Sequence, residues 1–315
     1  MGQSTPRVCN IILNWNNYPD TSECIESLQE LSYSNFEIVV VDNGSTDGSG
    51  ERLRKEYDDV TVLFTDRNLG FAGGNNRGIR EAMDRGADYV WILNDDIIIP
   101  DSECLNVLVE RMESKSSIGV LTPLVTEYPE TDELWFRAGY INWRSGNAGH
   151  VRSRRWFIEA GFGDDPITEG SLVYHDYLPL CSALVRTEIF EEFGLLNEEY
   201  FLYYEDVDLC SRISGHKNEI ATETAVRAHH KVSASSDSRR SPIHLYYLTR
   251  NKLLFKKNFN EQISLLFYPL CLWWIILNLA DQTIKVNSEN LRAVCLGFAD
   301  GVRGHNGRGR YPKLT

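Results

Sequence analysis

No Cys-x-x-Cys pair occurs in the sequence, and its seven cysteines (Cys9, Cys24, Cys104, Cys181, Cys210, Cys271 and Cys295) are odd in number and scattered. That pattern argues against a disulfide framework or a zinc site and for reduced, mostly buried thiols in a cytoplasmic protein. No secretory signal precedes the first strand-like run, which starts at Val8 behind a short polar leader. Two phosphate-binding signatures are missing as well: there is no Gly-x-x-x-x-Gly-Lys-Ser/Thr loop, and no Gly-x-Gly-x-x-Gly follows the first strand. Positive charge is scarce over most of the chain. The net charge is −13, but ten Lys/Arg against four Asp/Glu from Pro242 onward give +6, which leaves 22 against 41, or −19, in the first 241 residues. So acidic a body argues against nucleic acid as a partner. A basic tail beside an uncharged stretch points instead to an anionic membrane surface. The acidity also fits a high-salt cytoplasm.

What is present is a globular composition: 315 residues, 42% hydrophobic and 24% charged, enough for one large core or two. Up to Asn94 the chain alternates strands and helices, the pattern of a parallel sheet covered on both faces. The strand candidates Val8–Asn14, Glu37–Asp42, Thr61–Thr65 and Tyr89–Asn94 have continuous β-branched or aliphatic middles. Helices are expected over Thr21–Leu31, Ser49–Tyr57 and Gly74–Arg85, with Asp20 or Thr21 as the first N-cap. Three strands end in polar residues, Asn14, Asp42 and Asn94-Asp95-Asp96, and open α/β sheets bind ligands outside the carboxyl ends of their strands. Helix caps and turns are the plainer use for such residues. From Leu121 to Asp176 the sequence is rich in Gly, Trp and charge, with turns at Arg144–Asn147 and Gly163–Pro166, and reads as an acceptor-facing insertion.

The segments NIILNWNNY (Asn10–Tyr18), VVVDNGSTDG (Val39–Gly48), NLGFAGGNNRGI (Asn68–Ile79) and LNDDI (Leu93–Ile97) follow one another in the first third. Downstream come CSALVRTEIF (Cys181–Phe190), FLYYEDVDLCSR (Phe201–Arg212), His229–Ser235 and YYLTRN (Tyr246–Asn251). Singly each is weak; as an ordered set from about Val8 to Asn258 they resemble the family 2 glycosyltransferases, and within these the rhamnosyltransferase-like branch. The resemblance implies a GT-A fold: a Rossmann-like α/β sheet with helices on both faces over residues 1–240. Its donor half is expected at about 1–120 and its acceptor half at about 121–240. A helical, basic, membrane-associated region is expected over 241–315.

Each motif has a chemistry of its own beside that likeness. The Asp42 carboxylate suits a hydrogen bond to the ring N–H of uracil or thymine, and Gly44 in the following turn allows close backbone approach; the resembled family uses this Asp to read the base. The Asn68–Asn76 segment, with Gly70, Gly73 and Asn76, is expected to form a loop before a helix whose free N–H groups face a phosphate or sugar. With the two common phosphate loops missing, a metal is needed. Asn94-Asp95-Asp96 is the candidate site, since Mn2+ or Mg2+ takes one or two carboxylates plus substrate phosphates and acts as a Lewis acid on the leaving group. The family pattern is Asp-x-Asp, and here Asn94 replaces the first acid while Asp96 matches the metal-binding one. The resemblance also lets His229 complete the metal shell. Asn14 joins the donor-binding set.

Glu205-Asp206 follows an aromatic run, where semi-apolar surroundings raise a carboxyl pKa toward the range useful to a general base. By resemblance the base is Asp206; Glu205 orients the acceptor or is itself the base, and Asp208 caps a helix. Ser233–Arg240 is polar enough for a lid over the donor. Tyr246–Phe259 has helical spacing, with Arg250 able to meet a diphosphate or a lipid phosphate. Ile263–Ala280 carries no charge over 18 residues, which makes a spanning, interfacial or packed helix.

The expected activity is therefore an inverting, metal-dependent transfer from a UDP- or dTDP-sugar, rhamnose among the candidates. The acceptor is a hydroxyl of a glycan or lipid-linked glycan at the cytoplasmic face of the cell membrane. A non-catalytic glycan- or nucleotide-sugar-binding scaffold is the alternative. A sugar nucleotidyltransferase is a further one, but it needs a Gly- and Arg-rich loop where Asn14–Tyr18 stands.

Overall fold

The computed structural model describes residues 5–129, 133–151, 170–231, 241–263, 267, 269 and 288–311. Its first half alternates β1 (Val8–Asn14), α1 (Tyr18–Gln29), β2 (Phe36–Asp42), α2 (Ser49–Glu56), β3 (Thr61–Phe64), α3 (Gly70–Asp84) and β4 (Tyr89–Asn94). There follow β5 (Ile97–Ile98), α4 (Cys104–Ser114), β6 (Ile118–Glu127), β7 (Leu134–Phe136), β8 (Gly139–Asn142), β9 (Asn147–His150), β10 (Leu172–Tyr174) and β11 (Ser182–Arg186). The remaining elements are α5 (Thr187–Phe193), α6 (Glu205–Ile213), β12 (Glu219–His230), α7 (Pro242–Asn258) and α8 (Ser288–Arg303).

The main sheet runs β10-β12-β6-β11-β4-β1-β2-β3, with β5 paired to β12 and β7 to β6. Strands β3, β2, β1 and β4 are parallel, as the sequence predicts. Beyond β4 the sheet is mixed, because β11 runs antiparallel to both β4 and β6. Along the parallel strands alternate side chains feed two cores. Cys9, Ile11, Val39, Val41, Val90 and Ile92 face one. Val8, Ile12, Ile38, Val40, Tyr89, Trp91 and Leu93 face the other. Both faces are dry, so the strands read as unbroken apolar runs rather than as alternation. Helices α1, α2 and α4 cover one face; α3, α5, α6, α7 and α8 cover the other.

The second half supplies the short strands that the Leu121–Asp176 segment did not announce. The Arg144–Asn147 turn joins β8 to β9 as a hairpin; the turn expected at Gly163–Pro166 lies outside the described residues. So do the lid expected at Ser233–Arg240 and most of Ile263–Ala280. Among the described residues no helix is long and apolar enough to cross a membrane.

Helix α3 begins at Gly70, not at Gly74. The glycines that suggested a loop lie inside the helix and let it pack closely: a Cβ at Gly74 would stand 2.4 Å from Leu13 Cδ1 on β1. Asn76, expected at the donor, faces the chain after α5. Its Nδ2 donates to Leu196 O at 2.8 Å and Glu198 Oε1 at 2.9 Å, and Leu196 N donates to its Oδ1 at 3.0 Å. Asn76→Ala would leave a buried backbone N–H and C=O unpaired, so about 2–3 kcal/mol of stability should be lost. Chemical denaturation measures this; weaker nucleotide binding at unchanged stability would return Asn76 to the donor site.

Candidate active site

The carboxyl ends of β1 and β2 meet in one hydrogen-bonded cluster. Asn14 and Asp42 are register partners, 0% and 4% exposed. Asn14 Nδ2 donates to Asp42 Oδ1 at 2.6 Å and lies 3.0 Å from Ser49 Oγ and 3.2 Å from Ser45 Oγ. Thr21 Oγ1, at 3.0 Å, holds the Asn14 carbonyl and so orients the amide. Thr21 therefore serves this network rather than capping α1, whose first turn starts from Asn17 with a proline inside it. Asp42 also sits against the start of α2: a Cβ at Gly50 would fall 2.4 Å from Asp42 Cγ. The helix N-terminus favours the carboxylate charge. Gly44 turns at φ +70 beside the Arg67 backbone, which a Cβ would approach to 2.4 Å.

Asn43 carries the cluster to α3. Its Oδ1 accepts from Leu69 N at 2.9 Å, and its Nδ2 donates to Gly70 O at 3.1 Å and Asn68 Oδ1 at 3.3 Å. Asn68 Oδ1 in turn takes the Gly70 N–H at 2.8 Å. Asn68 and Gly70 thus lie beside the Asp42 strand end. Gly73, in the first turn of the same helix, packs on Leu69.

At β4, Asn94 N donates to Cys181 O at 2.9 Å, where β11 joins the sheet. Asp95 accepts from Asn17 Nδ2 at 3.0 Å, and desolvation with the neighbouring Asp96 charge pushes its carboxyl up to about 7. Asp96 Oδ1 lies 3.1 Å from His230 Nε2. The histidine that reaches Asp96 is thus His230, not the expected His229. Neighbours on a strand point to opposite faces, and His229 turns its Nδ1 to Thr126 Oγ1 at 2.7 Å. Trp135 stands edge-on to His230, with ring centres 4.5 Å apart.

Asp96 Oδ1 is buried without a hydrogen-bond partner. A carboxylate oxygen and an imidazole nitrogen that converge in this way fit Mn2+ or Mg2+, with a diphosphate completing the shell. Among the described residues no cluster of three His, Cys, Asp or Glu side chains forms a protein-only cation site.

Glu205 and Asp206 open α6. Tyr177 OH donates to Asp206 Oδ2 at 2.7 Å, and Val207 N donates to Oδ1 at 2.7 Å. Desolvation raises the Asp206 carboxyl to about 6, with both hydrogen bonds opposing the shift. Glu205 is buried with Oε2 unpartnered, and desolvation, then the Asp206 charge, pushes it well above the carboxylate range. Both shifts run upward, and Asp206 has the tyrosine hydroxyl and the Val207 N–H to oppose its own. Asp208 is structural, taking Arg212 Nε at 2.7 Å and Tyr200 OH at 3.0 Å. Burial raises the pKa of the Cys181 thiol, and the Asp96 and Asp206 charges add to the shift, so both acids lie within electrostatic range of one buried residue.

Arg250, expected at a phosphate, is 0% exposed and spent on protein acceptors. Its Nη1 donates to Gly307 O at 2.7 Å, Nη2 to Tyr200 O at 2.6 Å and Nε to Asn251 Oδ1 at 2.8 Å. Tyr177, His230, Asn17 and Trp135 were missed from the sequence. Strand parity at the His-His pair carried a signal for His230; a lone tyrosine or tryptophan carried none.

Residues 9–168, half of the chain, match the family described as Glycosyl transferase family 2. The chain is 24% identical to the low-salt glycan biosynthesis hexosyltransferase Agl10 of Haloferax volcanii, over 95% of this chain and 92% of that protein. It is 23% identical to the dTDP-rhamnosyl transferase RfbF of Shigella flexneri, over 96% and 97%. The mannosyltransferase PcManGT from Pyrobaculum calidifontis, solved with GDP-Man and Mn2+, shares the fold with a TM-score of 0.57 at 17% identity, over 98% of this chain and 78% of that one. Asp42, Asp96 and Asp206 thus stand at strand and helix ends of a shared GT-A fold, and the chain belongs to glycosyltransferase family 2.

Proposed function

We propose that this enzyme transfers a sugar, with inversion, from a nucleotide diphosphate donor to a hydroxyl of a glycan or lipid-linked glycan. The observation that carries this reading is the convergence of Asp96 Oδ1 and His230 Nε2, 3.1 Å apart, just past β4, together with an Asp206 held by Tyr177 OH and Val207 N at the start of α6. The hexosyltransferase and dTDP-rhamnosyl transferase relatives support a UDP- or dTDP-sugar, rhamnose among them. Asp42, held by Asn14, accepts the base N–H, and the Asn68–Gly70 turn borders the sugar and phosphates. Asp96 and His230 would hold a divalent cation, which would supply charge neutralisation for a diphosphate leaving group. Asp206 takes the proton of the attacking hydroxyl, and Tyr177 keeps Asp206 ionised and aimed. Trp135, beside His230, offers a flat apolar face to a sugar ring.

Residues 1–240 carry the transfer, the donor half over 1–120 and the acceptor half over 121–240. The 241–315 region meets the membrane. On α8, Leu291, Phe298 and Val302 are 44%, 39% and 64% exposed, and with exposed Cys295 they form an i, i+4, i+7, i+11 stripe. Arg292 and Arg303 lie next to it on the same helix. An apolar stripe edged by cations fits an anionic cytoplasmic leaflet.

Three measurements test these parts. Calorimetry with UDP and dTDP in Mn2+ should show binding that excess EDTA abolishes and that Asp96→Ala or His230→Ala weakens at least tenfold, with His229→Ala close to wild type. Nucleotide binding indifferent to metal would sink the cation role. The transfer rate should fall below pH ~6 as Asp206 takes a proton, and Tyr177→Phe, by removing a bond to the ionised form, should move that limb up by about one unit. An unmoved limb would take Asp206 out of the base role. Flotation on vesicles containing anionic lipid should recover the wild type and lose Phe298→Glu/Val302→Glu; equal recovery of both would remove α8 from the membrane.

A further inference from the structure

The chain between α5 and α6 is held in a conformation that its own residues disfavour. Phe201, Tyr203 and Tyr204 have φ of 65, 67 and 79, a left-handed region that residues with a side chain adopt only against a steric penalty. Such a segment persists only where its surroundings hold it. The surroundings here are two adjacent residues of α7. Asn251 Nδ2 lies 3.0 Å from Tyr200 O and 2.8 Å from both Leu202 O and Tyr203 O. Its two N–H groups are therefore shared among three carbonyls. Arg250 Nε binds Asn251 Oδ1, which fixes the amide so that its nitrogen faces the segment. Arg250 Nη2 adds bonds to Tyr200 O and Glu199 O.

The carbonyl that Asn251 leaves free does a different job. Phe201 O accepts from Phe71 N at 2.7 Å, in the first turn of α3. A Cβ at Gly70 would come within 2.3 Å of the same oxygen. At its other end the segment runs into α6: Tyr204 is the N-cap, and its carbonyl takes the Asp208 N–H at 2.8 Å. One strained segment thus touches the donor-side helix at Phe201 and sets the entry of the helix that carries Asp206.

We infer that Asn251, oriented by Arg250, is a positioning residue that holds Glu199–Tyr204 in its left-handed path and thereby fixes Asp206 relative to the Gly70 end of α3. This rests on the proposed role of Asp206 as base. The groups that face Asp206 are Tyr177, Cys181 at the head of β11, and Glu205 and Cys210 on its own helix. None of them lies on α7, so Asn251 acts on Asp206 only through the path of the chain.

The test is Asn251→Ala, read by the titration of the Asp206 side-chain carboxyl in 13C NMR, assigned with Asp206→Asn, and by sugar transfer from UDP- and dTDP-sugars. Release of the segment lets water reach Asp206, so its titration should move down by about one unit or more toward the ordinary value, opposite to Tyr177→Phe. A base displaced by about 1 Å should lower kcat about 100-fold. In the Asn251→Ala background, Tyr203→Gly removes one left-handed penalty and should restore at least tenfold in kcat. If Asn251→Ala lowers the melting temperature but leaves the Asp206 titration in place, the side chain is ordinary packing and the inference is overturned. It is overturned too if Tyr203→Gly restores melting temperature without kcat. Should Asp206→Asn retain full transfer, the base assignment fails, while the NMR titration still decides whether Asn251 positions Asp206.

Discussion

The Asn94 amide gives its hydrogen to the Cys181 carbonyl at 2.9 Å, and the active site is organised around that junction. It is where the antiparallel strand β11 closes onto the parallel sheet β3-β2-β1-β4. Parallel strands alone deliver polar ends to one edge, which is enough to hold a nucleotide but offers nothing to its other side. An antiparallel neighbour returns the chain to the same edge from the opposite direction. The junction sets Cys181 beside Asn94, and both Asp96 and Asp206 act on the Cys181 thiol.

Carboxylates gathered at such an edge repel one another and lose hydration, so each needs a separate arrangement. Asp42 takes the Asn14 amide and the start of α2. Asp96 faces His230. Asp206 takes a tyrosine hydroxyl and a backbone N–H, while burial pushes Glu205, whose Oε2 has no donor, well above the carboxylate range. Two adjacent acids in unlike surroundings are held differently, and that is how one fold keeps two carboxyls for two uses. The difference between them comes from surroundings, since the residues themselves are nearly equivalent.

Much of the donor side was legible in the sequence because it is local. Four unbroken apolar runs ending in Asn14, Asp42, Phe64 and Asn94 need no knowledge of distant partners, and their order carried the family likeness. The acceptor side is assembled from long-range pairings, such as β11 with β4 and Tyr177 with Asp206 across 29 residues, and no local pattern announces these. Three misreadings have physical causes. The glycines of α3 looked like a loop because glycine usually marks one, yet here they serve close packing of helix on sheet. His229 and His230 are separated only by strand register, which composition does not reveal. Arg250 looked like a phosphate ligand because it is cationic, whereas burial and five donors suit it equally to binding backbone carbonyls.

That use of Arg250 bears on why α7 belongs to the catalytic architecture. Its side chains Leu245, Tyr246, Tyr247, Leu254 and Phe255 belong to the larger of the two cores, where Tyr247 and Phe255 pack on Phe201 and Tyr204 of the segment before α6. Phe201 stacks on Tyr247 with ring centres 5.5 Å apart, and the Arg250 guanidinium lies 4.8 Å from the Tyr247 ring on the same helix. A connection that leads into the Asp206 helix but lies outside regular secondary structure gains rigidity from such a support. The carbonyls of Glu199, Tyr200, Leu202 and Tyr203 would otherwise bond water and sample several paths. By capturing them, α7 turns a flexible connection into a fixed one, and the order it imposes reaches Gly70 on one side and Asp206 on the other. The C-terminal helix α7 thus bears on the path of the chain into Asp206 through backbone carbonyls alone.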